Sequence, residues 1–254
     1  MRPATTIVKV CRVLEVFRDH SSLGITEVAA KTGLSPSDVH RILGSLASCG
    51  YIGQDHETKK YHLGLELLKL GHTVLQRIEV REIGRPLLRG LSEKAGGTAS
   101  MAIFDKKNLE IIWVEQIDSP DEVQIKFRIG ARVSAHSTGV GKTIMAFLEP
   151  ALARQVLKKE GLRKLTGHTI VDMASLEREF AKIRAQGYAV DREEAMEGAC
   201  CMAAPVFDHS GAMVAAISVS MLAGRFSRWN ETGLAAVVKT AAARFSVALG
   251  YAGG

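Results

Sequence analysis

Hydrophobic positions in residues 26–62 repeat first at helical spacing and then at strand spacing, and this order predicts a small N-terminal unit. Thr26 can cap a short helix, and Gly33 can end it because glycine tolerates a positive φ. Ser35 and Pro36 are typical first residues of a second helix. The apolar positions of both helices recur three and four residues apart and should face a common core: Val28, Ala29, Val39, Ile42, Leu43 and Leu46.

The segments on either side of these two helices complete the unit. A preceding amphipathic helix should end near His20. After the helices, residues 51–54 and 59–63 flank the polar turn 55–58, and we predict that they pair as a hairpin. This is the layout of a winged helix-turn-helix, which favours DNA binding. The inward positions of the preceding helix are Ile7, Val10, Cys11, Leu14 and Phe17.

The exposed face of the second helix carries short hydrogen-bonding side chains together with His40 and Arg41, and Asp38 is an acidic partner at its start. These residues suit a major groove, whereas a helix that binds protein more often presents aromatic or leucine anchors, and a protein-interaction module stays the alternative. We expect Arg41 to read a base or a phosphate, and Arg2 and Lys9 to contact flanking phosphates. The predicted DNA-binding residues are Thr5, Thr6, Thr26, Ser35, Ser37, Asp38, His40, Arg41, Ser45, Lys59 and Lys60.

Residues 65–81 predict a helix that is too hydrophobic for a solvated linker. We expect its apolar side chains to pack against another chain, in a homodimer or a homotetramer. A single winged unit reads only a few base pairs, whereas two units at a fixed spacing can span a palindromic operator on double-stranded DNA and bind it more tightly. The apolar positions are Leu65, Leu67, Leu68, Leu70, Val74, Leu75 and Ile78.

From Glu82 onward helical and strand patterns mix, and they predict an α+β domain around one largely antiparallel sheet. A hairpin is expected at residues 98–104 and 110–116, and a further strand at residues 123–129. Further helices are expected around residues 83–91, after His136, and at 151–160, 175–186 and 229–248, with the last strands at 188–191, 201–207 and 213–220.

With 254 residues and 46% hydrophobic composition, the chain can bury a sizeable core in one or two domains. A net charge of +6 and a pI of about 9.2 favour a polyanionic partner. No apolar run approaches membrane-spanning length, and the four cysteines do not form a disulfide framework, so we expect a cytoplasmic, nucleoid-associated protein. The predicted division is a winged helix-turn-helix domain at 1–64, a linker helix at 65–81 and the α+β domain at 82–254.

Several motifs resemble those of the IclR (isocitrate-lyase-regulator) family of bacterial transcription factors. The residues that carry the resemblance are SPSDVHRILGSL and KKYHLG in the winged unit, then HSTGVGK, GYAVDREE and GACCMAAPVFDHSGAMVAAISVS. The resemblance covers nearly the whole chain. It implies a dimeric or tetrameric repressor or activator, with an N-terminal operator-binding domain and a C-terminal domain that resembles the GAF fold and senses a metabolite.

The resemblance also implies an effector pocket in the C-terminal domain. The ligand should be a small organic acid, because glycines in STGVG can leave backbone N–H groups free at a helix start. Ser218 and Ser220 lie two apart on a predicted strand and should bind it together, although they can instead hydrogen-bond within the sheet. Asp191 would hold a hydroxyl or carry a proton. The implied effector-binding residues are Gly139, Val140, Asp191, Cys201, Ser218 and Ser220, with Met101, Ile103 and Met145 on the apolar side.

Enzymatic alternatives are weaker. GVGKT resembles the end of a phosphate-binding loop, but that motif needs a glycine where this chain has His136. The acidic cluster at 191–194 lacks a nucleophile, base and orienting group, and we expect a solvated turn there. We expect no catalytic residue, cofactor or metal, with Cys201 in the pocket and Cys200 in the core. A DNA-binding dimer without an effector is the second interpretation.

Overall fold

The computed structural model describes residues 5–76, 79–119 and 124–252. The chain divides into two compact units, residues 1–77 and residues 78–254. Among the described helices, none is both long and apolar enough to cross a membrane. Outside the described residues lie three positions named above: Arg2, Ile78 and Val123.

The first unit consists of helices and a two-stranded antiparallel hairpin. Its elements are α1 (Thr5–Glu15), α2 (Ile25–Thr32), α3 (Pro36–Ser48), β1 (Ile52–Gln54), β2 (Tyr61–Leu63) and α4 (Leu65–Gln76). The predicted helix-turn-helix and wing are confirmed. All six predicted inward positions of α2 and α3 are buried, and burial of each large aliphatic side chain contributes roughly 1.5–3 kcal/mol.

The first helix is shorter than the pattern predicted, and only part of its predicted inward face packs on the core: Val10 and Leu14 do, whereas Ile7 is 62% exposed. α1 ends at Glu15, and the Phe17 N–H bonds the Leu14 carbonyl in a turn that brings the Phe17 side chain inward. Val13 is fully buried, whereas Cys11 is exposed. The predictions that Ile7 and Cys11 face the core were therefore wrong, because α1 contacts the core only through Val10, Val13 and Leu14.

The start of α2 also differs from the prediction. Gly24, not Thr26, is the N-cap, and its backbone N–H donates to the Glu27 carboxylate at 2.7 Å. Thr26 lies in the first turn of the helix and is exposed. Gly33 ends α2 in the left-handed region with φ of 70°, as the sequence indicated.

The second unit is an α+β domain whose strand pairs, in the part of the chain described, are all antiparallel. The strands lie in the order β5-β4-β3-β8-β7-β6. The fold class predicted from the sequence is confirmed. The elements are α5 (Glu79–Ala95), β3 (Thr98–Asp105), β4 (Glu110–Ile117), β5 (Arg132–Val133), α6 (Gly139–Phe147), α7 (Pro150–Glu160), α8 (Met173–Gln186), β6 (Ala189–Arg192), β7 (Ala199–Phe207), β8 (Met213–Leu222), α9 (Ala223–Phe226) and α10 (Glu231–Ala248).

The two faces of this sheet carry different cores. Helices α5 and α10 pack on one face around the alternate side chains Met202, Ile217 and Val219. Helices α6, α7 and α8 pack on the other face, where the intervening positions of β7 and β8 contribute Ala203 and Ala216. Because successive strand residues point to opposite faces, this division fixes which side chains share a site.

Residues 124–129 do not form the predicted strand. The backbone N–H of Phe127 donates to the side-chain carbonyl of Gln116 at 2.6 Å instead of joining a ladder. The Phe127 ring stacks on Trp113, with ring centroids 4.3 Å apart. The Phe127 side chain therefore covers Trp113 of β4, and among the described residues the short strand β5 extends the sheet at this edge.

Candidate nucleic-acid interface and effector site

Helix α3 begins with the cap that the sequence predicted. The Ser35 hydroxyl accepts the Asp38 backbone N–H at 3.1 Å, and Pro36 is the first helical residue. A serine in this position satisfies an N–H group that the helix itself leaves without a partner. The turn between α2 and α3 is thereby fixed at both ends, by Gly33 and by Ser35.

The outward face of α3 presents Ser37, His40, Arg41 and Ser45 to solvent. The Arg41 side chain is 75% exposed, which leaves its guanidinium accessible to a base edge or a phosphate. The Ser45 hydroxyl donates to the Arg41 carbonyl at 2.9 Å, so part of its hydrogen-bonding capacity is used within the helix. The face is polar and carries no large apolar side chain, as expected for a surface that enters a groove.

Asp38 has a different role from the one predicted. Its carboxylate bonds Lys9 of α1 at 2.9 Å and Arg41 at 3.3 Å, rather than reaching back to the helix cap. The hydrogen bond from Lys9, followed by the charge of Lys9, holds the pKa of Asp38 below its usual value. The carboxylate therefore ties α1 to α3 and partly neutralises the two cations nearest the exposed face.

The wing contributes two further cations at the surface. Lys60 lies 3.5 Å from the Glu27 carboxylate of α2, and the Gly24 N–H and then the charge of Lys60 lower the pKa of Glu27. Lys59 is exposed at the end of the hairpin turn, with φ of 57°. Thr5 and Thr6 are exposed at the start of α1. The predicted DNA-binding side chains therefore all reach the surface of the first unit, Asp38 and Lys60 only partly.

In the second unit, the predicted effector serines lie on the face of the sheet that α6 covers. Ser218 is buried and its hydroxyl shares a 2.8 Å hydrogen bond with the Ser100 hydroxyl of β3. The alternative of hydrogen bonding within the sheet thus holds for Ser218. Ser220 is also buried, and its hydroxyl has no hydrogen-bond partner among the described residues.

The start of α6 packs closely against the same strands. A Cβ atom at Gly139 would lie 3.0 Å from Cys201 Sγ, so a glycine is what allows this approach. The Gly141 N–H is already bonded to the Thr138 hydroxyl at 3.0 Å, and Val140 is fully buried. One of the N–H groups expected to be free for a carboxylate is therefore occupied by the helix cap.

Two carboxylates of the acidic segment at the end of β6, those of Asp191 and Glu194, are buried, which corrects the expectation of a solvated turn. Asp191 is 5% exposed and its Oδ1 accepts the backbone N–H of Glu194 at 2.7 Å. Glu194 forms an ion pair with Lys142 of α6, which is fully buried and also donates to the Val190 carbonyl at 2.6 Å. Lys142 thus anchors the segment from inside the domain, because a charge so deeply buried requires a charged partner.

This burial changes how the acids and the thiol titrate. Burial, and secondarily the charge of Glu194, raises the pKa of Asp191 to about 7. Burial also raises the pKa of Glu194, against the opposing effect of Lys142. For Cys201, burial and then the charge of Asp191 raise the pKa to about 12, so the thiol stays protonated and is a poor nucleophile.

The apolar residues predicted for the effector pocket are divided between the two faces. Met101 lies in the core beneath α5 and α10, and Ile103 packs against the same core. Their assignment to the pocket was wrong, because they alternate with Ser100 on β3 and point away from Ser218. Met145 is buried on the α6 face, in the core around Ile144. Cys200 lies in the α5 core, as predicted.

A cavity of about 560 Å³ lies where β3 begins and β8 ends. Of the predicted effector residues, only Ser220 lines it. Its other walls include Thr98, Arg225 and Arg228, which sequence reasoning did not select. Thr98 could have been found from the register, because it pairs directly with Ser220 across β3 and β8. The arginines follow the last strand and carry no motif of their own.

A capped helix-turn-helix with a wing, followed by an α+β domain with buried polar groups beside a cavity, defines the class of DNA-binding transcriptional regulators. The family model for the IclR helix-turn-helix domain matches residues 6–56, and the model for the C-terminal domain of bacterial IclR regulators matches residues 72–247. The chain belongs to the IclR family.

The chain is also similar to individual regulators and solved structures of this family. The HTH-type transcriptional regulator KdgR of Dickeya chrysanthemi is 33% identical over 97% of this chain and 80% of its own length. The crystal structure of Thermotoga maritima IclR is 30% identical, with a TM-score of 0.71 over 97% of this chain and 99% of that one. An IclR homologue from Microbacterium hydrocarbonoxydans, solved as a complex with 4-hydroxybenzoate, is 20% identical, with a TM-score of 0.81 over 96% and 99%.

Proposed function

We propose that the protein binds a palindromic operator as a homodimer or homotetramer and that a small organic acid in the second unit changes its operator affinity. The observation that carries this proposal is the buried polar cluster of Asp191, Cys201 and Ser220 on the α6 face, which a purely structural domain does not need. The 4-hydroxybenzoate complex of the Microbacterium homologue supports it, since a protein of the same fold holds a small acid.

The proposed interface with DNA is the outward face of α3, supported by the wing. Arg41 is its central reader, because it is the longest exposed donor on that face and can bond a guanine edge or a phosphate. Lys59, Lys60 and the threonines at the start of α1 would contact the flanking backbone and set the register. We expect two such units to read the two halves of one site.

Replacing Arg41 with Ala should weaken binding to the preferred duplex by about 1–3 kcal/mol if the guanidinium reads a base. The preferred duplex is selected from a randomised pool with the unmodified protein, and affinity is measured by fluorescence anisotropy at one fixed salt concentration. Arg178→Ala, an exposed arginine of α8, serves as the control. Equal affinities of the Arg41 variant and the unmodified protein would remove Arg41 from the interface.

Effector binding and operator binding must be reciprocally linked, typically by about 1–3 kcal/mol. The double variant Ser218→Ala and Ser220→Ala should bind the selected duplex normally but lose the change in affinity that an acid causes. The measurement is the same anisotropy titration, repeated with an acid that raises the melting temperature of the unmodified protein. An undiminished response in the double variant would place the effector elsewhere.

A regulator without an effector is the second candidate function. Two contacts favour it: the hydrogen bond between Ser100 and Ser218, and the close approach of Gly139 to Cys201. Both contacts occupy space on the α6 face of the sheet that a ligand would otherwise take. In that case no acid would shift the melting temperature or the operator affinity, while the effect of Arg41→Ala on DNA binding would remain.

A further inference from the structure

The positive charge of the second unit is concentrated in three short segments. Residues 105–110, 126–132 and 158–164 together contain nine lysines and arginines but only three acidic residues. The rest of residues 78–254 contains 14 lysines and arginines and 17 acidic residues, so it is slightly acidic. All nine cations are exposed, and we call them the basic edge: Lys106, Lys107, Lys126, Arg128, Arg132, Lys158, Lys159, Arg163 and Lys164.

Contacts among the three segments bring the basic edge together on the β5 side of the sheet. Arg132 of β5 forms an ion pair with Glu110 of β4 at 2.8 Å. Lys159, near the end of α7, lies 3.3 Å from the same carboxylate. The stacking of Phe127 on Trp113 joins the middle segment to β4 as well. The nine cations therefore belong to one surface, although they are far apart in the sequence.

Most of these cations are available to a partner. Among the described residues, Arg132 and Lys159 are the only two of the nine that form ion pairs, and both do so with Glu110. The other seven form none within the described part of the chain. Like charges gathered on one surface repel each other and lower the stability of the free protein, and binding of an anionic partner relieves this repulsion.

The cleft between the three segments does not suit a small anion. Its volume is about 340 Å³, and its walls include Glu110 and Glu160 beside Arg132 and Lys159. Two carboxylates in the walls would repel an anion that entered the cleft. The cations without ion pairs instead project from the segments that surround it. The surface therefore fits a long polyanion that contacts many cations from outside.

DNA fits this surface better than an acidic protein does. Six of the nine cations are lysines, which are depleted in protein–protein interfaces, whereas lysine and arginine side chains neutralise DNA phosphates and release counterions. Lysines also protect an exposed sheet edge from pairing with another strand. Arg132, however, is the only one of the nine on the edge strand β5. Protection of the edge does not account for the other eight.

We propose that the basic edge of the second unit binds the phosphate backbone of the double-stranded DNA that flanks the operator, without reading its sequence. Contacts with phosphates add affinity and fix the position of a protein on the duplex, but they carry no base information. This inference goes beyond the proposed function, which places the contacts with DNA on the first unit. It does not depend on an effector.

The test is a triple variant of the full chain, Lys106→Gln, Lys126→Gln and Lys158→Gln, with one substitution in each segment. Anisotropy titrations use the selected duplex alone and the same duplex with flanks of arbitrary sequence about three helical turns long on each side. The variant should bind the long duplex about tenfold more weakly than the unmodified protein does, and the short duplex equally well. On the long duplex, the slope of log affinity against log salt concentration should become shallower by about one for each lysine that contacts a phosphate.

A matched control removes the same charge from other parts of the second unit. Lys94→Gln, Lys182→Gln and Lys239→Gln replace exposed lysines of α5, α8 and α10, and this triple variant should keep its affinity for the long duplex. A further variant carries arginine at the three tested lysines of the basic edge. It conserves the charge and should bind both duplexes normally, so the comparison stays valid if the glutamine variant folds poorly.

Three results would contradict the proposal. Equal weakening in the test and control variants would show that net charge alone is responsible. Unchanged affinity of the test variant for the long duplex would overturn the contact with DNA and leave an acidic protein or protection of the sheet edge as the role of these lysines. A loss that is as large on the short duplex as on the long one would rule out the flanking DNA as the partner. Reading of the operator by the first unit is judged separately by Arg41→Ala.

Discussion

Asp191 couples protonation to folding in the second unit. Its pKa rises from 3.8 to about 7 on burial, so the folded protein holds a proton that the unfolded chain releases between these values. The free energy of unfolding should therefore fall as the pH rises from about 4 to about 7 and then level off. The pKa of Glu194 is raised by burial in the same direction and adds to this trend, although its ion pair with Lys142 acts against the shift.

Asp191→Asn should remove the part of this dependence that Asp191 contributes, and it keeps the acceptor for the Glu194 N–H. The variant should be more stable than the unmodified protein near pH 8, and the difference should vanish toward about pH 4. Chemical denaturation across this pH range measures it. Asp208→Asn is the control: Ser210 lowers the pKa of this exposed turn carboxylate, so that variant should gain nothing at high pH. A parallel pH profile for Asp191→Asn would contradict the assignment.

Single residues were predictable where their role is local. Ser35 could be identified as a cap because the cap bonds a residue three positions away. Lys142 could be placed on a helix but not in the core, because its partner Glu194 lies 52 residues further along the chain. The burial of Asp191 could not be predicted from the sequence either, because the segments that cover it are distant along the chain. Polar clusters made by distant segments leave no periodic signal in either segment.

The start of α6 depends on close packing that only a glycine permits. A Cβ atom at Gly141 would lie 2.1 Å from the Ser134 carbonyl oxygen and 2.7 Å from the Thr138 hydroxyl. Gly141→Ala should therefore lower the free energy of unfolding by about 1–3 kcal/mol through overpacking. Gly90 lies in α5, where an added Cβ meets nothing within 4 Å, and Gly90→Ala should instead add about 0.5–1 kcal/mol through helix propensity. Equal effects of the two substitutions in chemical denaturation would contradict this picture.

Most strands with a clear alternation of apolar and polar residues were predicted correctly, and the exception is the segment 124–129. The hairpin of β3 and β4 and the last strands β7 and β8 lie where alternation placed them. Residues 124–129 alternate equally well but are held by the Gln116 amide and the Trp113 ring rather than by a neighbouring strand. An alternation of apolar and polar residues indicates that one side of a segment packs against the protein. It does not indicate whether a neighbouring strand or a side chain provides the hydrogen bonds to its backbone.

At the scale of the whole molecule, α4 carries the feature that bears most directly on assembly. Leu65 is 75% exposed and Leu68 is 69% exposed, with Leu70 and Val74 also accessible to solvent. Leu65 and Leu68 lie on one side of the helix, and Leu70 and Val74 lie on the other. Exposed apolar side chains in this number are typical of a surface that another chain covers. A homo-oligomer is therefore our prediction, and substitution of Leu65 and Leu68 tests it.

The double variant Leu65→Gln and Leu68→Gln should lower the mass measured by light scattering toward that of the monomer. Its operator affinity should fall by about a hundredfold or more, because two linked half-site contacts become independent. Leu165→Gln, an exposed leucine of the second unit, is the matched control and should change neither quantity. An unchanged mass in the double variant would assign the interface to another surface.

The carboxylate of Asp38 lies between Lys9 and Arg41 on the face proposed to meet DNA. In a regulator that must search DNA for its operator, this carboxylate weakens non-specific binding. The reason is that it already compensates part of the positive charge of Lys9 and Arg41 before any phosphate contacts them. Only a site whose base edges draw the Arg41 guanidinium away from Asp38 would recover the full attraction. A negative side chain on the reading helix would then serve selectivity, by lowering the affinity for all the sequences that do not match.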